Sequence, residues 1–285
     1  MISDWATNKI YLSGKLPIDF PKTSTAITDK LNSLGYKPEF LPNTYDIWAR
    51  DYMPIQISND KFIEYRYDPD YLQGNSDELE TRELKTYPDI VCDAIGLKTI
   101  KTDIIIDGGN VVKSDNAIIL TDKVVWENYR HYSEKQLVKK IHDLFEVEKV
   151  ILIPWDEVCD YGHADGMMRF INNDKVLISG FYETSDNEFK KWILDSLETA
   201  KIDWEWLRVS DKEIEDNIAY INFLQTKDII IVPSLNRPED DEAIKQISKH
   251  FSKYASNNRI DKFDMCEIFQ FNGALNCMTW TIKHN

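Results

Sequence analysis

Cysteine is scarce in this chain, and its four copies, Cys92, Cys159, Cys266 and Cys277, show no C-x-x-C spacing. That pattern argues against a zinc site and against a dense disulfide scaffold. A cysteine with a special role here is expected to be a free thiol. No stretch approaches the ~18 consecutive apolar residues of a bilayer-spanning helix. The opening Met1-Ile2-Ser3-Asp4-Trp5-Ala6 also lacks a basic segment followed by an apolar run. The expectation is a soluble, cytoplasmic protein with no membrane partner. Basic residues are the minority, 34 against 49 acidic ones, for a formal charge of −15. The resulting field repels nucleic acid and attracts cations, although solubility alone accounts for much of it. Low-complexity segments and Pro/Gly-rich linkers are missing too, so a single domain over residues 1–285 is expected. Nor is there a glycine-rich turn entering a helix. Asp107-Gly108-Gly109-Asn110 lies between apolar residues of strand type, which speaks against a nucleotide-phosphate cradle and an open doubly wound sheet.

What the chain does have is an internal repeat. Asp51, Asp107 and His163 fall 56 residues apart, and the same step leads on to the neighbourhood of Asn222 and then of Cys277. Short polar turns centred at 59, 115, 173 and 227 interrupt apolar strands and keep nearly the same period. They predict hairpins over 48–66, 104–125, 167–181 and 218–235, with a last strand over 277–283. Between them lie segments of helical period: 23–34, one opening with the capping pattern Ser133-x-x-Gln136, 185–197, 238–254 and, less regular, 77–95. The unit is ββαβ, about 57 residues long, and five units fill the chain. If they pack around one axis, Asp51, Asp107, His163 and Cys277 meet at the centre.

Each of these residues has an ordinary reading as well as a chemical one. A lone cysteine is more often a small buried hydrophobe than a nucleophile. Cys277, however, follows the bend Asn272-Gly273-Ala274-Leu275-Asn276 and is in phase with His163, the usual partner of a thiolate. In Tyr161-Gly162-His163-Ala164-Asp165-Gly166, strand alternation would put His163 and Asp165 on one side; a metal pair or a structural histidine is the alternative. Trp48 beside Asp51 suits a planar cation held between charge and ring face, where the plain alternative is a core tryptophan and an Arg50–Asp51 ion pair. Asp107 is either a further ligand, the group that orients His163, or a turn carboxylate. Residues 68–75 read as a surface loop, with a pocket lid as the alternative.

Taken together, Trp48-x-Arg50-Asp51-x-x-Pro54, Asp107-Gly-Gly-Asn110, Gly162-His163-x-Asp165-Gly166, Tyr220-x-Asn222-Phe223 and the stretch from Gly273 to Cys277 resemble the agmatine deiminase and bacterial peptidylarginine deiminase family. The motifs stand in family order across residues 48–277. The resemblance implies a pentein, an α/β propeller of five ββαβ units about a pseudo-fivefold axis. It also implies a hydrolase that converts a guanidinium group into a ureido product and ammonia. Asp51 and Asp165 would grip the guanidinium, Asp107 would orient His163, Cys277 would attack the guanidinium carbon, and His163 would serve as acid and then base. Asn110 and Asn222 match family positions near the substrate, and Trp48 would wall the pocket. No metal or organic cofactor is required. The implied partner is a small cationic guanidine, with a homo-oligomer possible. Asp107 stands where the family commonly has Glu, and Asn276 where it has His, so the choice among agmatine, arginine and peptidyl arginine stays open. For an arginine substrate, Arg66, Arg82, Arg169 or Arg237 would have to receive the carboxylate. An amidinotransferase using the same covalent chemistry, or a retired pentein used as a binding protein, are the other readings.

Overall fold

The computed structural model describes residues 1–74, 82–157, 161–209 and 217–284. Along the chain run β1 (Lys9–Ser13), α1 (Pro21–Ser33) and β2 (Glu39–Leu41), then β3 (Ile55–Ser58), β4 (Lys61–Arg66), α2 (Pro88–Ala94) and β5 (Ile100–Ile105). The next two blocks are β6 (Val112–Lys113), β7 (Ala117–Thr121), α3 (Glu134–Phe145), β8 (Lys149–Ile153) and β9 (Met168–Asn172), β10 (Lys175–Ser179), α4 (Asn187–Thr199), β11 (Asp203–Leu207). The last is β12 (Leu224–Gln225), β13 (Ile230–Ser234), α5 (Glu239–His250) and β14 (Ile260–Asp264), and the chain ends in β15 (Thr279–Ile282).

These strands form five three-stranded sheets with one plan. In four of them, the second strand of a hairpin lies in the middle, antiparallel to the first strand and parallel to a third reached through the helix. The polar triplets predicted as turns do join β3 to β4, β6 to β7 and β9 to β10. One unit is assembled from both ends of the chain: β15 pairs antiparallel with β1, Lys9 opposite Ile282, and β2 completes that sheet. The closing strand therefore starts at Thr279, two residues later than the sequence suggests, because Leu275–Met278 forms a helical turn.

The helices present one stripe at i, i+4 spacing to the sheets. Ile27 and Leu31 do so on α1, Leu137, Ile141 and Phe145 on α3, Ile193 and Leu197 on α4, and Ala243 and Ile247 on α5. Each fully buried Leu, Ile or Phe among them contributes about 1.5–3 kcal/mol. Ser133 and Gln136 close the predicted capping box on α3, and Asp186 caps α4 with bonds from Glu188 N and Phe189 N. The segment read as 238–254 is broken: α5 stops at His250 and a separate turn, Ser252–Ala255, follows. Of the segment read as 77–95, α2 occupies Pro88–Ala94, with Pro88 at its first position, while 75–81 lies outside the described residues. Among the described residues, no helix is long and apolar enough to cross a membrane.

Candidate active site

A short helical turn precedes the first strand of every unit: Ala49–Tyr52 before β3, Gly108–Asn110 before β6, Ala164–Gly166 before β9, Asn217–Ile221 before β12 and Leu275–Met278 before β15. Neighbouring turns pack on one another in ring order, and Asn276 N donates to Asn222 O to join the last pair. The ring carries or adjoins the candidate site residues Asp51, Asp107, His163, Asp165, Asn222 and Cys277. Sequence alternation placed His163 and Asp165 on a strand; they lie instead at the head of a 3-10 turn, with His163 extended just before it. Asp107 has the same place before Gly108–Asn110. The glycines beside these residues permit the crowding. A Cβ on Gly108 would stand 1.9 Å from Arg50 O, and Gly162 adopts a φ of +61° under Trp155.

Two groups form within the ring. In one, His163 Nε2 lies 2.9 Å from Asp107 Oδ2, and Nδ1 lies 3.9 Å from Asp51 Oδ1. Tyr71 Oη donates to the same Asp107 oxygen at 3.0 Å, while Gly109 N donates to Asp51 Oδ1 at 3.0 Å. In the other, Cys277 Sγ lies 3.6 Å from Asp165 Oδ2, which also accepts from Asn276 Nδ2 at 2.6 Å. Asn222 Oδ1 accepts from Asn276 N at 3.1 Å and Cys277 N at 3.2 Å. Asn222 thus fixes the turn that bears the thiol. Asn110 has a comparable clamping place: its Oδ1 accepts from Thr121 N at 2.8 Å and Ala164 N at 3.3 Å, tying the His163 turn to β7. Trp48 closes against Gly273, where a Cβ would come within 2.3 Å of the indole.

Burial decides the electrostatics. The Asp51, Asp107, Asp165 and Cys277 side chains are all less than a tenth exposed. Burial pushes Asp51 well above the usual carboxylate range, His163 opposes it, and Asp165 and Asp107 add to it. Burial, then Asp165 and Asp51, likewise raise the Cys277 thiol well above its ordinary value. For His163, burial alone would favour the neutral ring, but Asp51 and Asp107, with Asp165, outweigh it and lift the imidazole to about 9. Asp51 and Asp165 act on both the thiol and the imidazole, so the nucleophile candidate and the acid/base candidate share the field of the same two carboxylates.

The family model for Porphyromonas-type peptidyl-arginine deiminase matches residues 24–282. The chain belongs to that family. Among solved structures, this member of the peptidyl-arginine deiminase family superposes on C. jejuni agmatine deiminase with a TM-score of 0.73 and 17% identity, covering 100% of this chain and 95% of that one. The agmatine deiminase of Enterococcus faecalis gives 0.72 and 16% with 100% and 95% coverage. DDAH from Pseudomonas aeruginosa gives 0.56 and 12% with 97% and 99% coverage. These likenesses establish the pentein fold, five ββαβ units about a pseudo-fivefold axis. Comparison with curated proteins gives no match.

Two sequence expectations change in this deiminase-family site. Arg169, a candidate for a substrate carboxylate, is buried beneath the ring with Nη2 2.7 Å from Asp4 Oδ2. Arg66 is turned to its neighbour Asp68 at the surface. The segment before residue 75, read as a surface loop, forms part of the site wall: the Tyr71 ring stands 6.3 Å from that of His163 and 5.0 Å from that of Tyr161. Asn75 itself lies outside the described residues. Tyr71 and Asn276 were missed as site residues. Asn276 had a signal, its position beside Cys277; Tyr71 had only the aromatic in a polar stretch.

Proposed function

We propose that this protein is a cysteine-dependent deiminase that hydrolyses the guanidinium group of a small substrate to a ureido product and ammonia. The observation that carries this reading is the surplus of buried acid around one thiol and one imidazole. Taking carboxylates out of water is costly without a cation to pair with them. A guanidinium supplies positive charge together with planar N–H donors. Gly109 N occupies Asp51 Oδ1, and Asp51 and Asp165 are the pair suited to hold the guanidinium with its carbon before Cys277.

The substrate's own charge then favours ionisation of Cys277, whose thiol is otherwise held protonated by burial and the nearby carboxylates, and the thiol proton is lost to solvent as the substrate binds. The thiolate adds to the guanidinium carbon. The tetrahedral adduct takes a proton from the His163 imidazolium onto one nitrogen, and ammonia leaves. What remains is an S-alkylthiouronium on Cys277 and a neutral His163. The imidazole next takes a proton from water as the oxygen attacks the same carbon. Collapse breaks the C–S bond, frees the ureido product and thiolate, and releases one proton that leaves with ammonia as ammonium. Asp107, 2.9 Å from Nε2, keeps the ring oriented through both transfers and stabilises its charged form.

The test is ammonia release from a panel of agmatine, free arginine, peptides with internal or C-terminal arginine, and methylated arginines. Ammonia with the matching ureido product from one member is expected, and its loss in Cys277→Ala. Turnover undiminished in Cys277→Ala would overturn the reading.

A further inference from the structure

Beneath the ring of helical turns, three buried cations come from three different units: Arg50, Lys113 and Arg169. One carboxylate gathers them. Asp4 Oδ2 lies 2.7 Å from Arg169 Nη2, and Asp4 Oδ1 lies 3.2 Å from Lys113 Nζ and 3.7 Å from Arg50 Nη1. Asp4 arrives on an N-terminal strap laid across the hairpin-turn side of the molecule. Ser3 Oγ bonds Asp115 Oδ1 at 2.6 Å, Lys227 N bonds Thr7 O at 2.9 Å, and Ile2 N bonds Gln56 O at 3.2 Å. The strap thus inserts an acid from the face opposite the site. Each cation stands close in sequence to a site residue: Arg50 beside Asp51, Lys113 three residues after Asn110, Arg169 four after Asp165. Arg50 reaches further than the others. Its Nε donates at 3.0 Å to the carbonyl of Asn276, the peptide that leads into Cys277.

We propose that Asp4 is a positioning residue for the nucleophile: by holding Arg50 against Asn276 O it fixes the Cys277 turn from below. Three buried cations without their shared anion repel one another, and Arg169 loses its hydrogen-bond partner, so Arg50 would abandon the carbonyl it now holds. This rests on the reading of Cys277 as nucleophile, and thiol reactivity is measured alongside turnover so that the two can fail separately.

The experiment is Asp4→Asn in the full-length protein, which keeps the side chain's shape and removes its charge. At least a tenfold fall in kcat is expected with KM within twofold of wild type. The pH midpoint of Cys277 alkylation by iodoacetamide should move down, because cations near the thiol lose their counter-charge. If no guanidine is turned over by the wild type, the limiting alkylation rate above that midpoint decides: a changed rate keeps the positioning role while the deiminase reading falls. Unchanged kcat or, without turnover, an unchanged limiting rate would overturn the proposal. Should Asp4→Asn fail to fold, Arg50→Lys replaces it, retaining the cation but losing the Nε–H to Asn276. The same kcat loss at constant KM supports the role, and wild-type kinetics refute it.

Discussion

His163 lies so close to Gly109 that a Cβ there would stand 2.4 Å from Nδ1 and 2.6 Å from Asp51 Oδ1. Gly109→Ala must therefore move the imidazole or the carboxylate, and a displacement near 1 Å at reacting groups costs roughly 10²-fold in rate. Steady-state kinetics should show that loss with the far-ultraviolet circular dichroism unchanged. Asp107 has a separable effect. It is among the carboxylates that raise His163 to about 9, so in Asp107→Asn the folded pKa falls. The alkaline limb of kcat, expected near pH 9 where the imidazolium is lost, should move to lower pH. A limb that stays in place would show that Asp107 does not govern this proton. Asp107 and His163 were legible in the sequence because the repeat step connects them. The Gly109 contact was not, since it depends on two chain segments meeting 54 residues apart.

The elements divide along the same line. Hairpins and helices could be read because their signals are local: polar turn triplets, i, i+4 apolar spacing and the Ser133–Gln136 box. Ser133→Ala should cost about 1 kcal/mol of stability by denaturant unfolding and leave activity unaltered, because the cap lies on the outer α3. The site turns were harder to read, because each spans only three to five residues beside apolar strand-like sequence and only tertiary packing winds it. The Tyr71 segment was hidden for a related reason: its anchors are remote. Lys123 Nζ lies 2.9 Å from Asp70 Oδ1 and donates to Tyr161 O at 3.0 Å, and Tyr71 Oη bonds Asp107. Tyr71→Phe loses one hydrogen bond, worth about 0.5–1.5 kcal/mol. A two- to tenfold change in kcat/KM is expected, and wild-type values would remove Tyr71 from the site.

Across the whole molecule, closure and charge act together. The ring is complete only when β15 meets β1, which brings Cys277 from the far end of the sequence to Asp165 and Asn222. Sequence spacing anticipated that meeting, but not that the closing unit is split between the two termini or that Asp4 gathers Arg50, Lys113 and Arg169 from three units. Collecting so many acids at one centre makes stability depend on pH. The folded pKa of His163, about 9, exceeds its ordinary 6.5. Its stabilisation is therefore full below pH 6.5 and is lost as pH rises through 9. Asp51 and Cys277 are raised too, so their linkage has the same sign. Thermal melts between pH 6.5 and 9 should show a declining Tm in the wild type and a shallower decline in His163→Gln; equal slopes would contradict this. The central claim, that Cys277 attacks a guanidinium carbon, is tested most directly by acid-quenching the enzyme during turnover and mapping the adduct by mass spectrometry. The account predicts an amidino adduct carrying the substrate tail on Cys277, absent in Cys277→Ala. Ureido product formed at the wild-type rate by Cys277→Ala, or turnover with the adduct on another residue, would contradict it.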